Sequence, residues 1–311
     1  MSKLKNIYIF ILTLIFATAA ISDSSLESKA KNKITNKINQ SVSTLSGKIS
    51  ENISSFAANN FEKMKYLDFE INAQEYLKPT FSVMSVTEIF NIYSDTGTIF
   101  NQTSLNTHDD DTTINIGFGI RKLLNDSKIL IGSNVFYDHQ FDDGHKRAGA
   151  GAEAISSIFD LRGNYYNAIT QEIATKDGSR DGSETALDGW DTQVDYHLPI
   201  KYDVNIFLNA FKFENPTVGS TYEETGNKFG ANAKLGNFQI EGGYINDNQI
   251  NDKYFGSIKY VVNFGEDNQS STPKSATTLT DVSDKLYQPV KRENKIRVVK
   301  ISSSGFVASG F

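Results

Sequence analysis

Strict alternation of apolar and polar residues, with a period of two, recurs through the middle of this chain. Side chains of a β-strand point alternately to opposite faces, so the pattern predicts strands with one apolar and one polar face. In residues 113–123 the two faces are Ile114, Ile116, Phe118 and Ile120, and Asn115, Gly117, Gly119 and Arg121. Twelve such strands are predicted, near 66–76, 81–91, 97–106, 113–123, 128–139, 146–156, 159–170, 188–198, 203–213, 228–235, 238–246 and 253–264.

Most predicted strands have about ten residues, the length that a tilted strand needs to cross a bilayer. Tight connections, such as 124–127, 157–158, 199–202 and 236–237, alternate with longer ones at 107–112, 171–187 and 214–227. An outer-membrane barrel has short turns at one end and longer loops at the other. The stretch 171–187 is predicted to be a solvated loop. The connection near 77–80 is short and fits the alternation poorly.

Composition agrees with a barrel better than with helices. A mean hydropathy of −0.37 excludes a bundle of membrane-spanning helices, whereas apolar and polar residues average out in a barrel. Aromatic residues fall at predicted strand ends, as interfacial girdles require: Tyr66, Tyr76, Phe90, Tyr137, Trp190, Tyr202, Tyr254 and Phe264. We assign Tyr137, Trp190, Tyr254 and Phe264 to the lipid interface. A soluble β-sandwich or barrel, with its apolar face inside, remains open on these grounds.

Charge and composition divide the chain into four segments. Residues 1–20 have the lysines, the apolar run and the small residues of a secretory signal peptide. Residues 21–65 show helical periodicity and are predicted to be a periplasmic helical spacer; the alternative is an amphipathic helix that packs on a partner or plugs a pore. Residues 66–264, with 15 basic and 28 acidic residues, carry a charge of −13 and form the predicted barrel. Residues 265–311 are predicted to be a linker and a short C-terminal tail without a folded domain.

Polar residues on the inward face of the predicted barrel are expected to line its lumen and to have a structural role. They are Asn115, Arg121, Asn134, Asp138, Arg147, Glu153, Arg162, Asp191 and Asp195. They either pair with one another or guide the linker through the pore. We expect Lys291, Arg292 and Lys295 of the linker to be held against this acidic lumen.

Neither a catalytic site nor a metal or cofactor site is predicted. The chain has no cysteine, which excludes thiol enzymes and cysteine-ligated zinc. Acidic stretches at 108–111, 142–145 and 177–188 contain metal-ligand residue types, but their loose spacing favours solvated loops. The acidic balance argues against a nucleic-acid partner.

Several motifs, in this order and spacing, resemble the barrel of the inverse autotransporters, the intimin/invasin family. They are Asn115–Arg121, Asn134–His139, Gly144–Arg147, Gly149–Glu153, Gly189–Asp191 with Leu198–Pro199, and Gln288–Ile296 after the last strand. The resemblance covers roughly residues 55–300. It implies an all-β fold: a twelve-stranded antiparallel transmembrane barrel in the outer membrane, with a periplasmic N-terminus. It also implies a linker that runs back through the pore to a displayed passenger.

The implied partners are outer-membrane lipid and lipopolysaccharide, periplasmic chaperones and the barrel-assembly machinery, with the barrel as a monomer. The sequence departs from the family pattern in two places. We find no peptidoglycan-binding module before the spacer, and the 47 residues after Phe264 leave no room for an Ig-like domain of about 100 residues. The expected function is therefore an anchor or translocator with a minimal or absent passenger. The alternative is a porin-like channel or a structural outer-membrane protein without a secretion role.

Overall fold

The structure, a computed structural model, describes residues 63–75, 77, 79–94, 96–108, 111–170, 172–174, 182–249, 253–264, 277–302 and 305–308. The predicted signal peptide lies outside these ranges. So does the predicted helical spacer, apart from its last three residues, of which Met64 and Lys65 already belong to the first strand. Within the described ranges the only helical element is a 3-10 turn at Ser283–Lys285. No helix there is long and apolar enough to span a membrane.

Twelve antiparallel strands form a closed barrel in which each strand pairs with its neighbours along the chain, and the first strand pairs with the last. The strands are β1 (Met64–Gln74), β2 (Thr80–Ile92), β3 (Gly97–His108), β4 (Asp111–Leu124), β5 (Ile129–Gln140), β6 (Lys146–Ser156), β7 (Phe159–Ala168), β10 (Asp188–His197), β11 (Asp203–Glu214), β12 (Glu223–Leu235), β13 (Phe238–Asp247) and β14 (Lys253–Asn263). The register between β1 and β14 places Tyr66 opposite Asn263 and leaves no open edge.

Four short strands form a second sheet in the order β16-β15-β9-β8. Strands β8 (Ile173–Ala174) and β9 (Gly182–Ala186) belong to the connection between β7 and β10, whereas β15 (Val298–Ser302) and β16 (Gly305–Ala308) follow the barrel. The prediction of a solvated loop over 171–187 was therefore wrong for its last part. Thr185 and Ala186 are buried because β15 pairs with β9 and covers it.

The predicted count of twelve strands is confirmed, and most strand ends lie within two residues of the predicted ones. The largest difference is β12, which begins at Glu223 rather than near residue 228. The connection before it, predicted over 214–227, is accordingly shorter, since it runs from 215 to 222.

The two ends of the barrel differ in their connections. Short turns at residues 93–96, 125–128, 157–158, 198–202 and 236–237 share one end with the start of β1 and the end of β14. We call this the short-turn end and the opposite end the long-loop end, because the longest connections, 169–187 and 215–222, lie there. The prediction of a longer connection over 107–112 was wrong, since only residues 109–110 separate β3 from β4. The turn after β4 holds Asn125, Asp126 and Ser127 at φ of 54°, 51° and 62°, a region that Asn and Asp tolerate better than most residues.

Alternation sorts the side chains as the sequence predicts. On β4, Ile116, Phe118 and Ile120 point outward and are exposed, whereas Asn115 and Arg121 are fully buried on the inner face. Several aromatic residues also point inward, among them Phe100, Phe136, Tyr166, Phe207, Phe211 and Phe213. The prediction that Tyr66 joins an interfacial girdle was wrong, because its side chain is buried and its hydroxyl donates to Asp68 Oδ2 at 2.7 Å.

Glycines on the inner face make room for these inward aromatic rings. The ring of Phe136 lies over Gly117, and that of Phe100 lies over Gly119, where a Cβ atom would collide with the ring. Small residues therefore alternate with large ones inside the barrel, and this leaves a lumen that the polar residues and the C-terminal segment fill.

Candidate functional site: the linker in the barrel lumen

Residues 277–302, here called the linker, run through the lumen from the short-turn end to the long-loop end. At the short-turn end the amide of Thr280 donates to Ser157 Oγ at 3.0 Å, and the amide of Val282 donates to the carbonyl of Ser127 at 2.8 Å. At the other end β15 pairs with β9. The linker therefore crosses the full height of the barrel.

An apolar cluster and one lysine fix the linker where it enters. Val282 and Leu286 pack against three wall residues, Leu123, Leu130 and Ile155. This cluster excludes water around the first linker turn, so the polar contacts next to it are made in a low-dielectric environment.

Lys285 satisfies its ammonium group with three wall groups at this level. Its Nζ lies 2.7 Å from the carbonyl of Ser156, 3.1 Å from Asp160 Oδ1 and 2.9 Å from His197 Nε2. A lysine that is largely withdrawn from water needs such partners. The linker entrance is therefore specific for a cation at this position.

Arg121 connects the wall to the linker backbone. Its Nε donates to Glu153 at 2.6 Å, and its Nη1 donates to the carbonyls of Leu286 and Gln288 at 2.9 and 2.5 Å. The guanidinium lies 4.6 Å from the centre of the Phe100 ring. Because Arg121 binds main-chain carbonyls, it recognises an extended chain in the lumen rather than a particular side chain.

Gln102 pairs with the linker as a neighbouring strand would. The amide of Val290 donates to its Oε1 at 2.7 Å, and its Nε2 donates to the carbonyl of Val290 at 3.3 Å. Both backbone polar groups of a buried residue are thereby satisfied by one side chain.

Asp138 is the centre of a deeply buried charge cluster in the lumen. Arg292 of the linker donates to both of its carboxylate oxygens at 2.8 and 2.7 Å, and Arg147 of the wall donates at 2.8 Å. Asn115 donates to the same carboxylate at 2.7 Å. The side chains of all three charged residues are at most 1% exposed. A charge buried so deeply requires paired, hydrogen-bonded partners such as these.

The same cluster holds the linker backbone directly after Arg292. Arg147 donates to the carbonyl of Glu293 at 2.6 Å, and Asn115 donates to that of Asn294 at 2.9 Å. The Arg292 guanidinium lies between two inward aromatic rings, 4.2 Å from the centre of Phe136 and 5.4 Å from that of Tyr166. Stacking and ion pairing therefore act on one side chain at once.

Asp195 and Asp191 contact the linker differently. Lys291 lies 2.8 Å from Asp195 Oδ1, and Arg162 of the wall donates to the same carboxylate at 2.7 Å. Asp191 acts through an intermediate, since it accepts a hydrogen bond from Tyr166 at 2.5 Å, and the Tyr166 hydroxyl accepts the amide of Glu293 at 2.7 Å.

Near the long-loop end Arg297 binds Glu224 of the wall and, at 3.0 Å, Glu293 of the linker itself. Its guanidinium lies 4.6 and 4.4 Å from the ring centres of Phe211 and Phe213. Strand β15 then begins one residue later, at Val298.

All nine inward residues singled out from the sequence are buried in this lumen. Asn115, Arg121, Asp138, Arg147 and Asp195 contact the linker directly, whereas Glu153 and Arg162 hold other wall residues in place. Asn134 lies on the same inner face of β5. Lys291 and Arg292 each contact a wall aspartate; for Lys295, a backbone hydrogen bond to Glu293 Oε1 at 3.3 Å is defined.

Sequence reasoning missed Gln102, Tyr166, Glu224 and Arg297. Gln102, Tyr166 and Glu224 lie on inward faces of strands, where the alternation that singled out Asp138 also places them. Glu224 was placed in a loop because the start of β12 was set too late.

The aromatic residues assigned to the lipid interface lie outside the lumen. Tyr137 and Trp190 are each 42% exposed and Tyr254 is 64% exposed. Phe264 follows the end of β14, and its amide donates to the carbonyl of Lys65 at 3.0 Å. Their assignment to a membrane interface stays a prediction.

A charge contact fastens β15 to β9 at the long-loop end. Lys300 Nζ lies 2.7 Å from Glu184 Oε1, and His145 Nε2 lies 3.5 Å from Glu184 Oε2. His145 and Lys300 together hold the pKa of the Glu184 carboxyl below its ordinary value of 4.5, and Glu184 in turn raises the pKa of Lys300.

A closed twelve-stranded barrel traversed by its own C-terminal segment is the arrangement of an autotransporter-like outer-membrane barrel. The family model of the inverse autotransporter β-domain matches residues 18–294. The chain belongs to this family, which is defined by a barrel domain and is not an enzyme class.

Curated relatives agree with the family. An attaching and effacing protein homolog of Escherichia coli (strain K12) is 32% identical over 116 residues, which are 37% of this chain and 39% of that protein. The inverse autotransporter adhesin YeeJ of the same organism is 32% identical over 100 residues, which are 32% of this chain and 4% of the adhesin. The chain therefore matches well under half the length of either relative.

A solved structure with a TM-score above 0.5 shares the fold. A chain from the work "Unveiling the Mechanism Behind the in-meso Crystallization of Membrane Proteins" has a TM-score of 0.63 at 20% identity, covering 75% of this chain and 98% of that one. The KdgM porin has a TM-score of 0.43 at 10% identity, covering 63% and 98% of the two chains.

Replacing the central carboxylate tests how strongly the lumen holds the linker. We expect Asp138→Asn to lower the free energy of unfolding by about 3 kcal/mol, because two buried guanidinium groups lose their counter-charge. Arg292→Gln leaves the pair with Arg147 intact, so its effect is expected to be smaller, and the double variant should cost less than the sum of the two. Urea unfolding in lipid vesicles, followed by electrophoretic mobility, measures all three.

The matched control is Asp126→Asn, the same change in an exposed turn, where we expect a difference within about 0.5 kcal/mol. Strict additivity of the Asp138 and Arg292 variants would contradict their direct contact.

The contact at the long-loop end is expected to weaken in acid. A carboxyl whose pKa is lowered by folding contributes stability above its unfolded pKa, here about 4.5, and loses that contribution as pH falls through the lower folded value. Hydrogen exchange of the β15 amides, compared between the native chain and Glu184→Gln from pH 7 to pH 3, measures it. We expect greater protection in the native chain at pH 7 and a difference between the two that shrinks as the pH falls below about 4.5. A difference in protection that stays constant from pH 7 to pH 3 would contradict the ion pair between Glu184 and Lys300 as its cause.

Proposed function

We propose that this chain anchors and exports its own C-terminal continuation across the outer membrane, as a translocator of the inverse autotransporter type. One observation carries the proposal: the linker enters the barrel at the end that bears both barrel termini and leaves it at the long-loop end. Any chain that follows Ser302 is thereby delivered to the long-loop side, and the barrel remains as its anchor.

Insertion of the barrel into the outer membrane is supported by its outer surface. Exposed apolar side chains such as Phe118, Val135, Leu161 and Leu208 face outward from strands of ten to fourteen residues. Lipid hydrocarbon suits such a surface, and the closed barrel satisfies every strand hydrogen bond internally. Lipid and lipopolysaccharide would contact this surface, with Tyr137, Trp190, Tyr254 and Phe264 near the interfaces.

The short-turn end would face the periplasm, since outer-membrane barrels have short periplasmic turns and longer outer loops. In this orientation the N-terminal region is periplasmic. Residues 1–20 would direct export as a signal peptide, and residues 21–65 would form the helical spacer. Periplasmic chaperones and the barrel-assembly machinery would insert the barrel, which lacks an open sheet edge and would act as a monomer.

The linker contacts favour a permanent anchor over a transient passage. Ion pairs at Lys285, Lys291, Arg292 and Arg297 are spaced along the whole lumen, and each joins a linker cation to a buried wall carboxylate. If the linker left the lumen, all four ion pairs would be broken together. Adhesion is named for one relative, of which the match covers only 4%, and it is not part of the proposal.

The alternative is a porin-like or structural barrel that does not export its C-terminus. An epitope tag after Phe311, combined with protease treatment of intact cells, separates the two. We expect the tag to be removed from outside, because the linker leads to the long-loop end. As a control, a tag inserted in the short turn at Gly236–Asn237 should remain protected until the outer membrane is permeabilised. Protection of the C-terminal tag in intact cells would contradict export.

A further inference from the structure

The linker is not centred in the lumen. Strands β3, β4, β6 and β7 supply the hydrogen bonds from Gln102, Asn115, Arg147 and Asn164 to the linker backbone. On the other side, a cavity of about 260 Å³ lies between the linker and parts of β1, β2 and β11–β14, whose contacts with the linker are made by Tyr287, Val290, Glu293 and Arg297. The threaded chain thus covers one wall of the barrel and leaves much of the opposite wall uncovered.

The uncovered wall is mainly polar. Its amides and hydroxyls include Asn72, Ser82, Asn209, Asn232, Gln239 and Ser257, charged groups such as Glu241 and Lys259 lie among them, and phenylalanine rings form its apolar part. Polar cavities hold water, and a volume of 260 Å³ has room for about nine water molecules. An apolar cavity of this size would stay dry, so the chemistry of the wall indicates a hydrated space.

The cavity also runs along most of the barrel height. Its lining includes Gln74 and Thr80 at the long-loop end. It reaches Gln239 and Lys259, which pair with each other next to the turn at 236–237 on the short-turn end. A hydrated space of this length connects the neighbourhood of one barrel end with that of the other.

An apolar cluster narrows the lumen at the short-turn end of the cavity. Val290 belongs both to the cavity wall and to this cluster, which also contains Tyr66, Val86 and Val261. Tyr287 of the linker packs against the cluster, and its hydroxyl donates to Glu88. Apolar constrictions of this kind restrict conduction by excluding water.

We propose that this cavity is a side passage for water and small hydrated ions that persists beside the threaded linker and is gated at the short-turn end by Tyr287. The passage rests on the proposed membrane insertion of the barrel. It gives the chain a function separate from export: limited permeability of a barrel that its own linker only partly fills.

Because the chain has no cysteine, single cysteines can map the two walls without background. Ser82→Cys lies in the cavity wall on β2, and Ser104→Cys lies on neighbouring β3, where the native side chain is 2% exposed and donates to Asn115. We expect a charged, membrane-impermeant methanethiosulfonate to modify Ser82→Cys at least about tenfold faster than Ser104→Cys in the folded, membrane-inserted protein. Equal reaction after denaturation is the control, and equal rates in the folded protein would overturn the passage.

Conductance in planar bilayers tests the gate. We expect a small conductance in the native barrel and a rise of about threefold or more in Tyr287→Ala, since removal of the ring widens the apolar constriction. Tyr165→Ala, the same change at an outward residue that is 55% exposed, should leave conductance unchanged. No increase in Tyr287→Ala would overturn the gate. If the C-terminal tag is exposed at the surface but Ser82→Cys is labelled slowly, the passage is refuted and the proposal of export still stands.

Discussion

The structure depends on charge pairing between a basic linker and an acidic wall. Residues 285–300 contain six basic residues and one acidic residue, whereas residues 66–264 carry a charge of −13. Neither component is suited to the lumen without the other, because buried carboxylates such as Asp138 and Asp195 need cationic partners and the linker cations need counter-charges. Barrel and linker therefore form one electrostatic unit, in which the barrel binds its own chain.

Backbone recognition explains why a linker of mixed sequence fits. Arg121, Gln102, Arg147 and Asn115 bind main-chain groups of the linker, so they require an extended chain but few particular side chains. Specificity is added at separate levels by Lys285, Lys291, Arg292 and Arg297. A chain can pass such a wall in many registers, whereas the spacing of the charged pairs stabilises one of them.

Much of this arrangement follows from the sequence, since period-two alternation places Asp138, Arg147 and Asp195 on one face of their strands. The pairing of Arg292 with Asp138 rather than Asp195 does not follow, because it depends on linker register, which no local pattern encodes. Strand β9 was also missed, since its partner β15 lies more than a hundred residues away. The aromatic residues divide between the outer surface and the lumen. The alternation alone does not place the rings of Phe136 and Phe100 inside the barrel, because their position depends on Gly117 and Gly119 of a neighbouring strand lying beneath them.

The linker register in the membrane is the central claim, and thiol cross-linking measures it directly. In the cysteine-free chain, Gln102→Cys is combined either with Val290→Cys or with Lys295→Cys, five residues and about 17 Å further along an extended chain. A short bifunctional thiol reagent applied to outer membranes should join the first pair, whose native residues are in hydrogen-bond contact, and leave the second unjoined. Cross-linking of both pairs alike, or of neither, would contradict a linker held in one register within the lumen.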